Sequence, residues 1–220
     1  MKSRKPSNVR MGAENSSVRA ELMETAEEIL RSEGCGAITA GRLAEKLGLK
    51  RQIVHYYFGT IEDLLIAMLR RNAERIRARL LQELQSANPL RVIWEFGSKG
   101  TTTITEFTAL ALRQPALRNE LRYHMEEFRR IEVEAIKRHF ALQGMETTVP
   151  AEAISLGLNS IAHAMLIGKA LGISTGHIEM KQTIEAWLQT FADSKPPVSM
   201  KRRTRREGSS VDRAKSRPRA

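Results

Sequence analysis

The chain has 220 residues, 41% of them hydrophobic and 28% charged, with a formal charge of +11. That length suits one domain or two packed ones, and the composition excludes a wholly disordered, collagen-like or disulfide-stapled protein. Cys35 is the only cysteine, so neither an intrachain disulfide nor a cysteine-rich zinc module can form, which fits a reducing, cytoplasmic compartment.

The charge sits at the two ends. Residues 1–16 carry Lys2, Arg4, Lys5 and Arg10 against Glu14, and residues 194–220 carry ten Lys and Arg against Glu207 and Asp212. Between them acidic and basic residues balance, 22 of each. A basic disordered arm (1–16) and a basic disordered tail (194–220) are therefore expected around a neutral folded region, because neither end has enough apolar residues to bury. The tail is either a solvated segment or a source of sequence-independent phosphate contacts. No apolar run follows the N-terminal cations, so no secretory signal is expected.

Helical spacing dominates between the ends and no strand-like alternation runs for any length, which predicts an all-α fold. Ser17–Glu33 reads as a first helix with Leu22, Ala26, Ile29 and Leu30 on one face and Gly34 as its stop. Thr39 can cap a short helix, Ala40–Leu47, ending at Gly48, and a third follows at Arg51–Phe58. Thr60 opens a long helix to about residue 85, with Asp63 completing a capping box and Leu65, Leu69, Ile76, Leu80 and Leu84 continuing its apolar face. Helices over 90–113 and 117–142 come next, the second with Leu121, Met125, Phe128, Ile136 and Phe140 in register. Then come a helix over 151–171 and a last amphipathic one carrying Met180, Ile184, Trp187, Leu188 and Phe191. The stretch 154–174 is long enough to span a bilayer, but its polar residues and glycines favour a helix buried on several sides.

The segment 39–58 carries the chemistry. Two short helices joined through a glycine form a helix-turn-helix, with Leu43, Ala44 and Leu47 facing inward and Leu49 and Val54 filling the angle. Lys50, Arg51, Gln52 and His55 then face outward near the start of the second helix, beside Ile53. Arg51 can pair with guanine and Gln52 with adenine. Thr39, Arg42, Lys46, Tyr56 and Tyr57 are placed for phosphates at the groove edges. Residues 17–63 hold six cations against eight acids, yet Arg42, Lys46, Lys50 and Arg51 all lie inside the bihelical segment.

The Ala26/Ile29/Leu30 helix, the link from Glu33-Gly34 to Thr39, the run LAEKLGL, the ending HYYF and the opening EDLL resemble the N-terminal domain of the tetracycline-repressor (TetR) family. The resemblance covers residues 17 to about 76. It implies nine helices in two domains, a DNA-binding domain (17–63) and a ligand-binding and dimerisation domain (64–193). It also implies base reading by Arg51, Gln52 and His55, with packing and backbone contact from Tyr56 and Tyr57. Three positions depart from the family pattern: His55 stands where tyrosine is frequent, Gly41 where a polar residue is common, and Ile61 where a basic residue often grips a phosphate.

The resemblance further implies a homodimer through the last two helices, a palindromic double-stranded DNA operator and a small-molecule effector. Gly157, Ser160, Ala164 and Gly168 would permit close packing, with Ile184, Trp187, Leu188 and Phe191 as the apolar partners. Cavity candidates are Trp94, Thr105, Phe107, His124, Met125, Phe128 and His163, each of which could equally be a core residue. The five histidines show no metal-ligand spacing, so neither metal nor cofactor is expected. Nothing supports an enzyme on a helical bundle: there is no glycine-rich phosphate loop and no nucleophile elbow. A protein that coats DNA without sequence choice is the other alternative; competition against random duplex separates it from a regulator.

Overall fold

Each helix begins and ends where local residues can satisfy its free backbone groups. The computed structural model describes residues 16–99 and 103–192, with the side chains of residues 86, 191 and 192 excepted. In chain order the helices are α1 Ser17–Glu33, α2 Ala40–Leu47, α3 Arg51–Phe58, α4 Ile61–Ser86, α5 Pro89–Ser98, α6 Thr103–Ala111, α7 Pro115–Gln143, α8 Ala151–Ala170 and α9 His177–Ala192, with one 3-10 turn at Cys35–Ala37. No strand occurs among the described residues. The arm 1–15 and the tail 193–220 lie outside them.

The caps foreseen from sequence are formed. Thr39 Oγ1 accepts the Arg42 N–H at 3.1 Å, and Thr60 and Asp63 exchange hydrogen bonds at both ends of a capping box. Asn88 accepts the Leu90 N–H at 2.9 Å ahead of Pro89, which loses nothing at a position whose N–H has no helical partner.

One expected helix is two. The region 90–113 is divided between α5 and α6, with residues 100–102 outside the described set. Ser98 Oγ donates to the Trp94 carbonyl at 2.5 Å, and the threonines that follow have low helix propensity. The division supplies the ninth helix.

Three apolar clusters hold the helices. The first joins α1–α4 around Leu22, Ile29, Leu43, Val54, Phe58 and Leu64 and takes in Phe107 and Ala111 of α6 and Leu117 and Leu121 of α7. The second packs Leu90, Ile93 and Trp94 of α5 on Ile136 and Phe140 of α7, Ile154 and Leu158 of α8, and Ile184 and Leu188 of α9. The third sets Leu80 and Leu84 of α4 against Val92 and Ala135. At 1.5 Å per residue α4 is roughly 39 Å long, and it runs from the first cluster to the third. Ion pairs pin it on both sides: Arg71 to Glu27 of α1 at 2.7 Å, Arg70 to Glu120 of α7 at 2.7 Å and Arg77 to Glu127 at 2.8 Å. Ile76, expected on its buried face, is exposed.

A division after residue 63 would cut both a helix and a core. α4 is continuous through that point, and the first cluster draws on α6 and α7.

The crossing of α5 on α8 is close. A Cβ added at Gly97 would lie 2.7 Å from the Cβ of Ala162, so only glycine fits there unless a helix shifts. Helix α8 is buried along Ile154, Ser155, Leu158 and Ala162, whereas Leu156, Ser160, His163 and Ala164 are exposed. The expectation of a helix buried on several sides is corrected: within one chain it is buried on one. No described helix is long and apolar enough to cross a membrane.

Candidate nucleic-acid interface

Gly48 links α2 to α3 in the left-handed region, φ 65°, and its N–H donates to the Ala44 and Glu45 carbonyls at the end of α2. Residues with a Cβ are strained there, so glycine is what permits the sharp reversal. Leu43 and Ala44 of α2 and Val54 and Phe58 of α3 are buried, while Leu47 and Leu49 are half-buried in the angle. This inward anchoring decides what faces out. Lys50, Arg51, Gln52 and His55 are all exposed, and Ile53 is half-buried beside them.

The flanking groups are less free than their sequence positions suggest. Arg42 forks onto Glu33 at 3.0 and 3.3 Å and also reaches Glu45 at 3.2 Å. Lys46 lies 3.8 Å from the same Glu33. The Arg42 guanidinium holds the Glu33 carboxyl below the ordinary carboxylate range. Two of the four cations of the bihelical segment thus share one acid at the end of α1, which sequence reading did not single out.

Tyr57 is also committed. Its hydroxyl accepts a hydrogen bond from Ser16 Oγ at 3.0 Å, and its ring meets that of Tyr56 edge to face at 5.1 Å. Tyr56 remains 46% exposed and available. His55 Nδ1 lies 2.9 Å from the Gly59 carbonyl, which can only accept, so Nδ1–H donates to it. Arg19 stacks over Phe58 at 4.7 Å, sealing the underside of α3. Exposed donors and acceptors at the leading turn of a short, firmly anchored helix are the geometry of a helix-turn-helix reading head.

The cavity candidates do not come together. Trp94 is buried in the second cluster, Phe107 in the first, and Phe128 packs on the third. His124 is buried and donates from Nε2 to Glu120 at 3.1 Å, within the α4–α7 network. Thr105 is half-buried, its hydroxyl without a partner among the described residues, and His163, expected on an apolar face, is exposed. Of these candidates only Met125 lines the cleft formed by α6, α7 and α8.

That cleft, about 570 Å³, runs between the end of α6 (Thr108, Ala111, Leu112), one face of α7 (Arg118, Leu121, Arg122, Met125, Glu126, Arg129) and the start of α8 (Glu152, Leu156). A signal for it was present in sequence: Arg118, Arg122, Met125 and Arg129 recur at helical spacing on one face. Spacing alone does not distinguish such a face from an ordinary solvated one. No group of three or more metal-ligating side chains occurs among the described residues.

The interface candidates divide. Ile184 and Leu188 are buried within the chain itself, and Gly168 is covered by His177, whose ring would lie 2.8 Å from an added Cβ. Burial of these residues needs no second copy. Gly157 and Trp187 are half-buried, Ser160 and Ala164 exposed; the Phe191 side chain is outside the described set.

The fold and head define the class, a helix-turn-helix transcription regulator on an all-helical body. Residues 22–68 match the family model of the bacterial regulatory proteins, tetR family. The HTH-type transcriptional repressor AcnR of Corynebacterium diphtheriae is 25% identical over 168 residues, covering 73% of this chain and 85% of that protein. A TetR transcription regulator from Haloarcula marismortui superposes with a TM-score of 0.63 at 23% identity, covering 80% of this chain and 97% of that one. FadR from Bacillus subtilis in complex with stearoyl-CoA superposes with a TM-score of 0.57 at 14% identity, covering 80% and 98%. Residues 22–68 therefore form a domain of the bacterial regulatory proteins, tetR family.

Proposed function

We propose that the chain is a homodimeric, ligand-responsive repressor that reads a palindromic operator with α3 of each protomer. The observation that carries the reading is the outward set Lys50, Arg51, Gln52 and His55 on a helix locked from behind by Val54 and Phe58. In this reading the head comprises residues 17–63 and the body 64–193.

A second copy is supported by apolar side chains left in solvent where α8 turns into α9. Leu171 and Ile178 are about 70% exposed, with Ile173 and Met180 beside them. A twofold contact of α8 and α9 would cover them and set two reading helices along one face of a duplex. Ligand response is supported by the cleft and by what borders it. Helix α6 forms one wall of the cleft, and the same helix touches the head, because Glu106 accepts the Cys35 N–H at 2.5 Å. A ligand that favours one position of α6 would shift the population of heads correctly spaced for DNA. FadR, which shares the fold, was solved with stearoyl-CoA, consistent with a body that takes small molecules.

Selection from random duplexes tests the reading directly. A palindromic consensus bound orders of magnitude above random DNA supports it, and equal binding to all sequences excludes it. On the selected site, Gln52→Ala is expected to relax base choice at one position, whereas Lys50→Ala weakens all sequences alike.

A further inference from the structure

We propose that the cleft between α6, α7 and α8 takes an amphipathic carboxylate, an apolar body ending in one anionic group held by Arg129 and Arg122. The inference rests on the reading that the body binds a small molecule and names its chemical class.

Three observations converge on it. First, the walls are mostly apolar and partly bare: Leu112 is 70% exposed, Leu156 55% and Met125 50%, all facing one concavity of a size typical for small ligands. Second, its charges are unequal. Arg118, Arg122 and Arg129 stand against Glu126 and Glu152, and Glu152 is already neutralised by Lys137 at 2.7 Å. Arg118 is spent on the Ala111 and Leu112 carbonyls at 3.1 and 2.7 Å, where it ties the end of α6 to α7.

Third, one guanidinium N–H of Arg129 (Nη1) is buried without an acceptor among the described residues. The charge of Arg129 acts on Glu132, three residues on, whose Oε2 takes hydrogen bonds from Ser155 at 2.5 Å and Asn159 at 2.8 Å. A buried donor N–H without an acceptor is costly even where a nearby acid balances its charge, and a carboxylate is the group whose two oxygens match a guanidinium fork. A cationic ligand fits poorly, since no aromatic ring lines the cleft to receive it.

The test is calorimetric titration of the DNA-free full chain with dodecanoate and with dodecyltrimethylammonium, both below their micelle concentrations. The two probes share a tail and differ in head charge. The expected result is one dodecanoate per chain, bound at least tenfold more tightly than the cation. Arg129→Met is expected to weaken dodecanoate at least tenfold. Leu156→Glu changes an exposed side chain, so it leaves the fold intact and is expected to cost as much. Equal binding of the two probes, no binding of dodecanoate, or unchanged affinity in both variants would overturn the proposal. Operator binding measured without any additive is a separate readout: its failure would condemn the repressor reading and leave the titration interpretable.

Discussion

The carboxylate of Glu106, on α6, accepts the backbone N–H of Cys35, in the turn after α1, across 71 residues of chain at 2.5 Å. It is a charge-assisted bond between the body and the link that leads into the reading head. Phe107, the next residue, is buried in the cluster that holds the head together. Helix α6 is therefore bound to the head by this polar contact and by apolar contacts that include Phe107 and Ala111.

Glu106→Ala removes the polar contact and leaves a backbone donor unsatisfied, at a cost of about 2 kcal/mol. Amide exchange at Cys35 is expected to accelerate while the α5 and α8 amides keep their protection. Glu106→Gln still offers an acceptor oxygen and is expected to lose less. Uniform acceleration across the chain would show that the bond stabilises the whole fold and not this junction.

The Cys35 thiol is pushed up to about 11, first by burial and then by the Glu106 charge. Little thiolate exists near neutrality, so alkylation of the native protein at pH 8 is expected to be at least tenfold slower than after unfolding. The sign of the linkage follows from a raised value. Its contribution is complete below the ordinary thiol range, near pH 8.5, and is lost as pH climbs towards 11. Thermal unfolding of wild type against Cys35→Ser across pH 8 to 11 checks it: the wild type should fall more steeply.

Gly48→Ala isolates the cost of the turn. Nothing lies within 4 Å of a Cβ added there, so no clash contributes and the left-handed backbone alone is penalised. About 1–2 kcal/mol of destabilisation is expected, read from urea unfolding. A larger loss would mean the helix pair rearranges.

Glu33 holds Arg42 and Lys46 at the edge of the proposed DNA face. Glu33→Gln is expected to release both cations, strengthen DNA binding several-fold at low salt and steepen the dependence of log affinity on log salt. Weaker binding would show that Glu33 holds Arg42 in the orientation DNA needs.

Burial raises the carboxyl of Glu132, and the Ser155 hydrogen bond, the Arg129 charge and the Asn159 hydrogen bond offset this only in part. Its stabilising contribution belongs to the protonated form: complete at pH below the ordinary carboxylate range and lost as pH rises through the raised value. Glu132→Gln keeps an acceptor without the charge. It is expected to raise the melting temperature by a few degrees at pH 8, about the size that 1 kcal/mol produces in a domain of this length, with the gain vanishing towards pH 4.

Local chemistry was readable along the chain. Thr39, Gly48 and the Thr60–Asp63 pair act within four residues of themselves, so their caps and turn follow from order alone. The outward set on α3 was legible for the same reason, because Val54 and Phe58 leave only one face free. Contacts between distant segments were not. Glu33 meets Arg42, Glu106 meets Cys35, and Ile184 and Leu188 turn into the chain's own core only once helices pack side by side. Helical periodicity says that a residue lies on an apolar face, but the neighbour that covers this face is chosen by tertiary packing. For that reason Trp94, Phe107 and Phe128 became core, while the cleft formed around arginines whose spacing looked like an ordinary solvated surface.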